Sequence, residues 1–164
     1  MIIGVGNPMR GDDAFGSSLA QRLAGRIAAH VIDAEDVPES YLWTAIAAQP
    51  DTILFLDAVD LGAAPGAAAL LDPEQIACRC VSTHHVPLAM MVEVLRRETG
   101  ASVALLAMQP SHIEFARPMS PTSSAALSCL EGLLMDVLPL LTEDSHAGAA
   151  SARMRILAER AASW

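Results

Sequence analysis

Three side chains stand out for the chemistry they could do together. Asp13 follows an apolar opening run, residues 1–5, that breaks at Gly6-Asn7. Asp57 ends a second apolar run, residues 52–56, and His84 follows Cys80-Val81 and precedes Pro87. If those runs fold as neighbouring parallel strands, their carboxyl ends bring all three residues to one edge of a sheet, where open α/β sheets hold their sites. Two carboxylates and an imidazole make a mixed oxygen and nitrogen set. It suits zinc, nickel, iron or manganese and leaves coordination positions open for water or substrate. Each residue also has a structural alternative that the sequence leaves open. Asp12 or Asp13 could cap a helix and favour its positive end, Asp57 could hold a turn, and a lone histidine is usually structural, His85 more so than His84.

Other chemistries fit less well. Gly4 and Gly6 begin a glycine-rich loop, but Met9 stands at the third position of the dinucleotide fingerprint and an acidic pair follows where a pyrophosphate wants donors. No nucleotide is expected. There is no G-x-S-x-G segment, which argues against a serine hydrolase of the α/β-hydrolase type. All ten basic residues are arginine, so Schiff-base catalysis and a phosphate-loop lysine are excluded. Cys78 and Cys80 lack a matching pair for a metal and read as ordinary thiols. Asp60, His112 and Arg117 are second-tier contacts at most, and Met90, Met91, Met108 and Met119 read as core filler.

The elements that must position these groups alternate along the chain. Phe15, Leu19, Leu23 and Ile27 recur every four residues, one face of a helix lying on a sheet. Val31-Ile32 predicts a short strand before the acidic turn 33–36. Pro38 suits a first helical turn, with Leu42, Ala45 and Ile46 as the apolar face behind it. Residues 52–56 (TILFL) read as a central strand buried on both faces. Residues 67–71 predict a further strand, Asp72-Pro73 a turn, and Leu88, Met91, Val92 and Leu95 a third helix after Pro87. Residues 103–108 (VALLAM) are another buried strand, and Ser120-Pro121 starts the last core helix, lined by Leu127, Leu130 and Leu134 and bent near Pro139. The alternation predicts an α/β fold, a three-layer sandwich around a mostly parallel sheet. One domain spans 1–142. A polar linker and an arginine-bearing helix follow over 143–164.

Composition sets the outer limits. With 164 residues, 52% hydrophobic and 18% charged, the chain can bury a sizeable core. A formal net charge of −9 disfavours nucleic acid or an anionic membrane surface as partner. Three cysteines are no disulfide framework and fit a reducing cytoplasm. No apolar run has the length of a membrane span, and no signal-peptide pattern opens the chain.

Four segments in order carry a likeness: GVGNPMRGDDAFG (4–16), LDAVDLGAAPG (56–66), STHHVPL (82–88) and MQPSHIEFARPMSPT (108–122). The chain resembles the hydrogenase maturation endopeptidases, which trim the C-terminal extension of [NiFe]-hydrogenase large-subunit precursors. It is similar in particular to the branch serving formate-hydrogenlyase-type hydrogenases, and the likeness covers residues 1–141. The resemblance implies that Asp13, Asp57 and His84 are the metal-contacting, catalytic positions. It implies that the metal is a divalent ion, the nickel of the precursor, and that the cut follows nickel insertion. It also makes a monomer the default, with the large-subunit precursor as partner. Two departures from the family pattern bear on the cleft. Ala14 stands where a glycine is usual, and Asp33-Ala34-Glu35 stands where Gly-Gly often follows the aspartate. Such departures would also fit a non-enzymatic factor that docks on the precursor and checks its nickel.

Overall fold

A computed structural model of the chain describes residues 1–79 and 85–138. Strands β1 (Ile2–Gly4), β2 (Val31–Asp33), β3 (Thr52–Ala58), β4 (Ala68–Leu71) and β5 (Ser102–Met108) form one sheet in the order β2-β1-β3-β5-β4. Four strands are parallel, and β4 closes the edge antiparallel to β5. Helices α1 (Phe15–Leu23) and α5 (Pro121–Val137) cover one face, while α2 (Leu42–Ala47), α3 (Pro73–Arg79) and α4 (His85–Thr99) cover the other. The predicted three-layer sandwich is what forms.

Period-two alternation sorts the strand residues between the two layers. Ile2, Leu54, Leu56 and Leu106 pack with Phe15, Leu19 and Leu23 of α1 and with Leu127, Leu130 and Leu134 of α5. Ile3, Ile53, Phe55 and Leu105 pack with Ala45 of α2, Ile76 of α3, and Leu88, Met91 and Leu95 of α4. Burial on both faces explains why β3 and β5 read as unbroken apolar runs.

The structure shifts several boundaries. α1 stops at Leu23, short of Ile27, because the chain turns at Gly25 (φ 71°); Ile27 still packs against the core from beyond the turn. β3 continues past Leu56, so Asp57 lies within the strand, in register with Ala107 of β5. The segment after Asp72-Pro73 is the helix α3. Asp72 Oδ1 accepts from the Gln75 N–H (2.8 Å) while Gln75 Oε1 accepts from the Asp72 N–H (3.0 Å), a reciprocal cap. α5 starts as expected, with Ser120 Oγ accepting from the Ser123 N–H (3.2 Å) and Pro121 in the first turn. Met91 and Met108 are buried and Met119 packs at the core's edge, but Met90 is exposed on α4 and fills no core. Among the described residues no helix is long and apolar enough to cross a membrane. The expected bend at Pro139 and the segment 143–164 lie outside the described residues.

β1 leads through α1 to β2 on one side, whereas β3 lies on β1's other side. The strand order therefore reverses between β1 and β3, and a crevice opens beyond their carboxyl ends. α1 can lie close enough to frame it because glycines meet at the crossing. A Cβ on Gly16 would run into the carbonyl oxygens of Leu56 and Val5, and one on Gly4 into the Gly16 carbonyl. Both obstacles to Gly16 are backbone, which cannot rotate away. Gly16→Ala is expected to cost about 3 kcal/mol of stability, read as a lowered thermal midpoint by circular dichroism. An unchanged midpoint would show that α1 has room to lift.

Candidate active site

The crevice is built from the loop after β1 and the end of β3. Gly6 (φ 138°) turns the chain, and a Cβ there would overlap the Asp13 carbonyl oxygen. A single 3-10 turn, Gly11–Ala14, then presents Asp13 at the mouth of the crevice. Asn7 orients it: the Asn7 N–H donates to Asp13 Oδ2 (3.0 Å), while the Asn7 side chain donates to Asp36 Oδ2 (3.0 Å) and accepts from the Met9 N–H (2.9 Å). Sequence reasoning overlooked Asn7. Its position in the tight Gly6-Asn7-Pro8 segment was the available signal, since asparagine side chains routinely fold back on turn backbone.

Asp57 is only 4% exposed. Strand alternation places it on the Ile53 and Phe55 face, the side covered by α2 to α4. Burial, and after it the charge of Asp13, push the Asp57 carboxyl well above the ordinary carboxylate range, against a smaller downward pull from the Ala58 N–H. The two acids thus feel each other across the β1–β3 crevice, and a cation placed between them would relieve that repulsion. The donor set, two oxygens of hard carboxylates, fits a divalent metal. His84 lies outside the described residues, as does Cys80. Among the described residues no group of three His, Cys, Asp or Glu side chains is gathered as a metal site.

Asp12 does something the sequence did not show. It caps nothing on α1. Its buried carboxylate reaches across to the loop after β5 and accepts from Ser120 N (2.6 Å), Ser111 N (2.7 Å), Ser120 Oγ (2.9 Å) and His112 N (3.3 Å). Gln109 plays a parallel part on the other flank, where its Oε1 accepts from Leu61 N (2.6 Å) and Ala63 N (3.3 Å). The lesser candidates have local roles. Asp60 closes its own turn on the Gly62 N–H (3.0 Å), and Arg117 pairs with Glu114 (2.6 Å) in solvent. The His112 ring packs on Gly11, its Nδ1 buried without a hydrogen-bond partner among the described residues.

Both departures from the glycine pattern lie among the described residues. Ala14 has ordinary helical angles (φ −65°) and buries its methyl. Glu35 adopts the left-handed conformation a glycine would take (φ 48°), its carbonyl accepting from the Gly6 N–H (2.7 Å). That conformation costs a residue with a Cβ about 1 kcal/mol, partly offset by the Glu35 N–H donating to Asp33 Oδ1 (3.3 Å).

The fold and site define a three-layer α/β protein with paired acids at the switch point of a mostly parallel sheet. The family model described as hydrogenase maturation protease matches residues 15–136. The chain is 33% identical over 123 residues to the hydrogenase 3 maturation protease of Escherichia coli, covering 73% of this chain and 78% of that one. Its structure superposes on the crystal structure of a [NiFe] hydrogenase maturation protease from Thermococcus kodakarensis with a TM-score of 0.77, at 31% identity over 84% of this chain and 90% of the other. A crystal structure of a hydrogenase 3 maturation protease gives 0.72, at 30% identity over 80% and 85% of the two chains. The chain belongs to the hydrogenase maturation proteases, and its activity is that of an endopeptidase in hydrogenase maturation.

Asp12 yields a direct test of this architecture. Burial alone would raise its pKa, but the N–H groups of Ser120 and Ser111 and the hydroxyls of Ser123 and Ser120 outweigh it, and the net shift is downward. An acid whose folded pKa lies below its unfolded value, about 3.9, lends stability that is present above that value. The contribution is lost as pH falls through the folded pKa. Asp12→Asn is expected to cost about 2–3 kcal/mol at pH 7 and to flatten the acid limb of the stability curve, measured by urea unfolding between pH 2 and 7. An unaltered acid limb would remove Asp12 from this role.

Proposed function

We propose that the protein removes the C-terminal extension of a [NiFe]-hydrogenase large-subunit precursor after nickel insertion, with Asp13, Asp57 and His84 engaging the precursor's nickel beside the scissile bond. One observation carries this reading: two carboxylates, one of them raised by burial and then by the other's charge, at the β1–β3 switch point of a maturation-protease fold. Nickel in the precursor would supply Lewis acidity toward the carbonyl or the attacking water. Asp13, fixed by the Asn7 N–H, offers an oxygen whose direction is set before substrate arrives. Asp57, held above the usual carboxylate range, is suited to take a proton from water nearer to neutral pH than an exposed aspartate can. His84 supplies the imidazole of the set. No nucleotide is required. The reading places the reaction on a monomer in the cytoplasm, the latter in keeping with three cysteines that make no disulfide framework.

The retention of Asp13, Asp57 and His84 disfavours a purely non-enzymatic nickel-checking role, and the helical angles of Ala14 and left-handed backbone of Glu35 are compatible with that. The decisive assay incubates nickel-loaded precursor with wild type, Asp57→Ala and His84→Ala, and reads the precursor's C-terminus by mass spectrometry. Wild type is expected to release a short peptide, and each variant to lose roughly 100-fold or more in rate. Since the ionised form of Asp57 is the competent one, kcat/KM for the precursor should rise with pH through the raised pKa of Asp57 in the free enzyme. Full-rate cleavage by His84→Ala would break the three-residue set, and tight binding of an uncut precursor by wild type would favour the assembly factor.

A further inference from the structure

Beside the paired acids the chain leaves large apolar side chains in water. Met9 is 58% exposed, Ile113 45% and Phe115 67%. They belong to two segments that run along each other. The Ala116 N–H donates to the Met9 carbonyl (2.8 Å), Arg10 Nε to the Ile113 carbonyl (3.3 Å), the Gly11 N–H to the Arg117 carbonyl (3.1 Å) and the Asp12 N–H to the His112 carbonyl (3.0 Å). The Asp12 carboxylate pins the base of the second segment through Ser111, His112 and Ser120. At the crest Ala116 is left-handed (φ 58°), a conformation that disfavours any residue with a Cβ. A strained crest, secured by a buried charge and showing apolar groups to solvent, contributes nothing to the protein's own core. Such expenditure is what a recognition surface requires.

We propose that Met9, Ile113 and Phe115 form one rim on which the polypeptide substrate docks as its scissile bond is presented to Asp13 and Asp57. This rests on the endopeptidase reading above. The rim is continuous with the site, since Asn7 accepts from the Met9 N–H and donates its own N–H to Asp13 Oδ2. An endopeptidase must hold chain on at least one side of its cut, and an apolar stretch of that chain is the chemistry this rim accepts. An acidic protein, at −9, does not favour an anionic lipid or a nucleic acid there.

The test uses nickel-loaded precursor with wild type, Phe115→Ser, the Met9→Ser/Phe115→Ser double variant, and Trp43→Ser as a distant exposed control (75% exposed on α2). Because the three substituted side chains lie largely in water, thermal midpoints should hold. Rim variants are expected to raise KM and the directly measured Kd for precursor tenfold or more, with kcat within twofold, while Trp43→Ser changes neither. Unchanged KM and Kd, or an equal loss from Trp43→Ser, would overturn the rim. So would light scattering that shows the double variant abolishing a dimer while precursor binding persists, since a second copy would then be the occupant. If wild type binds precursor without cutting it, the endopeptidase reading fails and Kd alone decides the rim. If it neither binds nor cuts, both are wrong.

Discussion

A charged carboxylate with no solvent around it is tolerable only when protein groups replace the lost water. Asp12 meets that condition with two backbone N–H groups at short distance, one hydroxyl and a third, longer N–H, all from the loop that joins β5 to α5. The same Ser120 that donates to Asp12 caps α5. One buried charge thereby ties together the first strand's loop, the last strand's loop and the start of the last core helix. The first of these lies 99 to 108 residues from the other two in sequence. The 3-10 turn that offers Asp13 begins at Gly11 and contains Asp12, so the direction of Asp13 inherits its rigidity from that clamp and from the Asn7 N–H.

The neighbouring acids have opposite settings, and the contrast follows from their surroundings. Asp12 is buried among donors and its pKa falls. Asp57 is buried within β3, faces the charge of Asp13, and its pKa rises. A raised acid beside a fixed acid is a site that gains from a cation. The close packing of α1 against β1 and β3 through Gly4 and Gly16 keeps that pair at the sheet's edge. The site is therefore positioned by packing and tuned by burial.

Much of this was legible before any coordinates. Unbroken apolar runs announced β3 and β5, the four-residue spacing announced α1, and Ser120-Pro121 announced α5. Parallel neighbours β1 and β3 bring Asp57 within reach of the Asp13 charge, the part of the expected three-residue set that lies among the described residues. What the sequence hid depends on long-range contact. Asp12 read as a helix cap because its partners lie about a hundred residues away. Asn7 was masked by the glycines around it. Ile27 misled because its four-residue spacing continues past the turn at Gly25, where the helix does not. Glu35 read as a break in the pattern, yet its backbone takes the glycine conformation under the pull of the Gly6 N–H.

The central claim is that Asp13 and Asp57 form one electrostatic unit. Titrating the Asp57 carboxyl carbon by NMR, in wild type and in Asp13→Asn, tests it most directly. The expected wild-type midpoint lies well above the ordinary value of about 3.9. In Asp13→Asn it should fall yet stay elevated, because burial is the larger cause and the Asp13 charge the second. An Asp57 midpoint that does not move when Asp13 loses its charge would contradict the account.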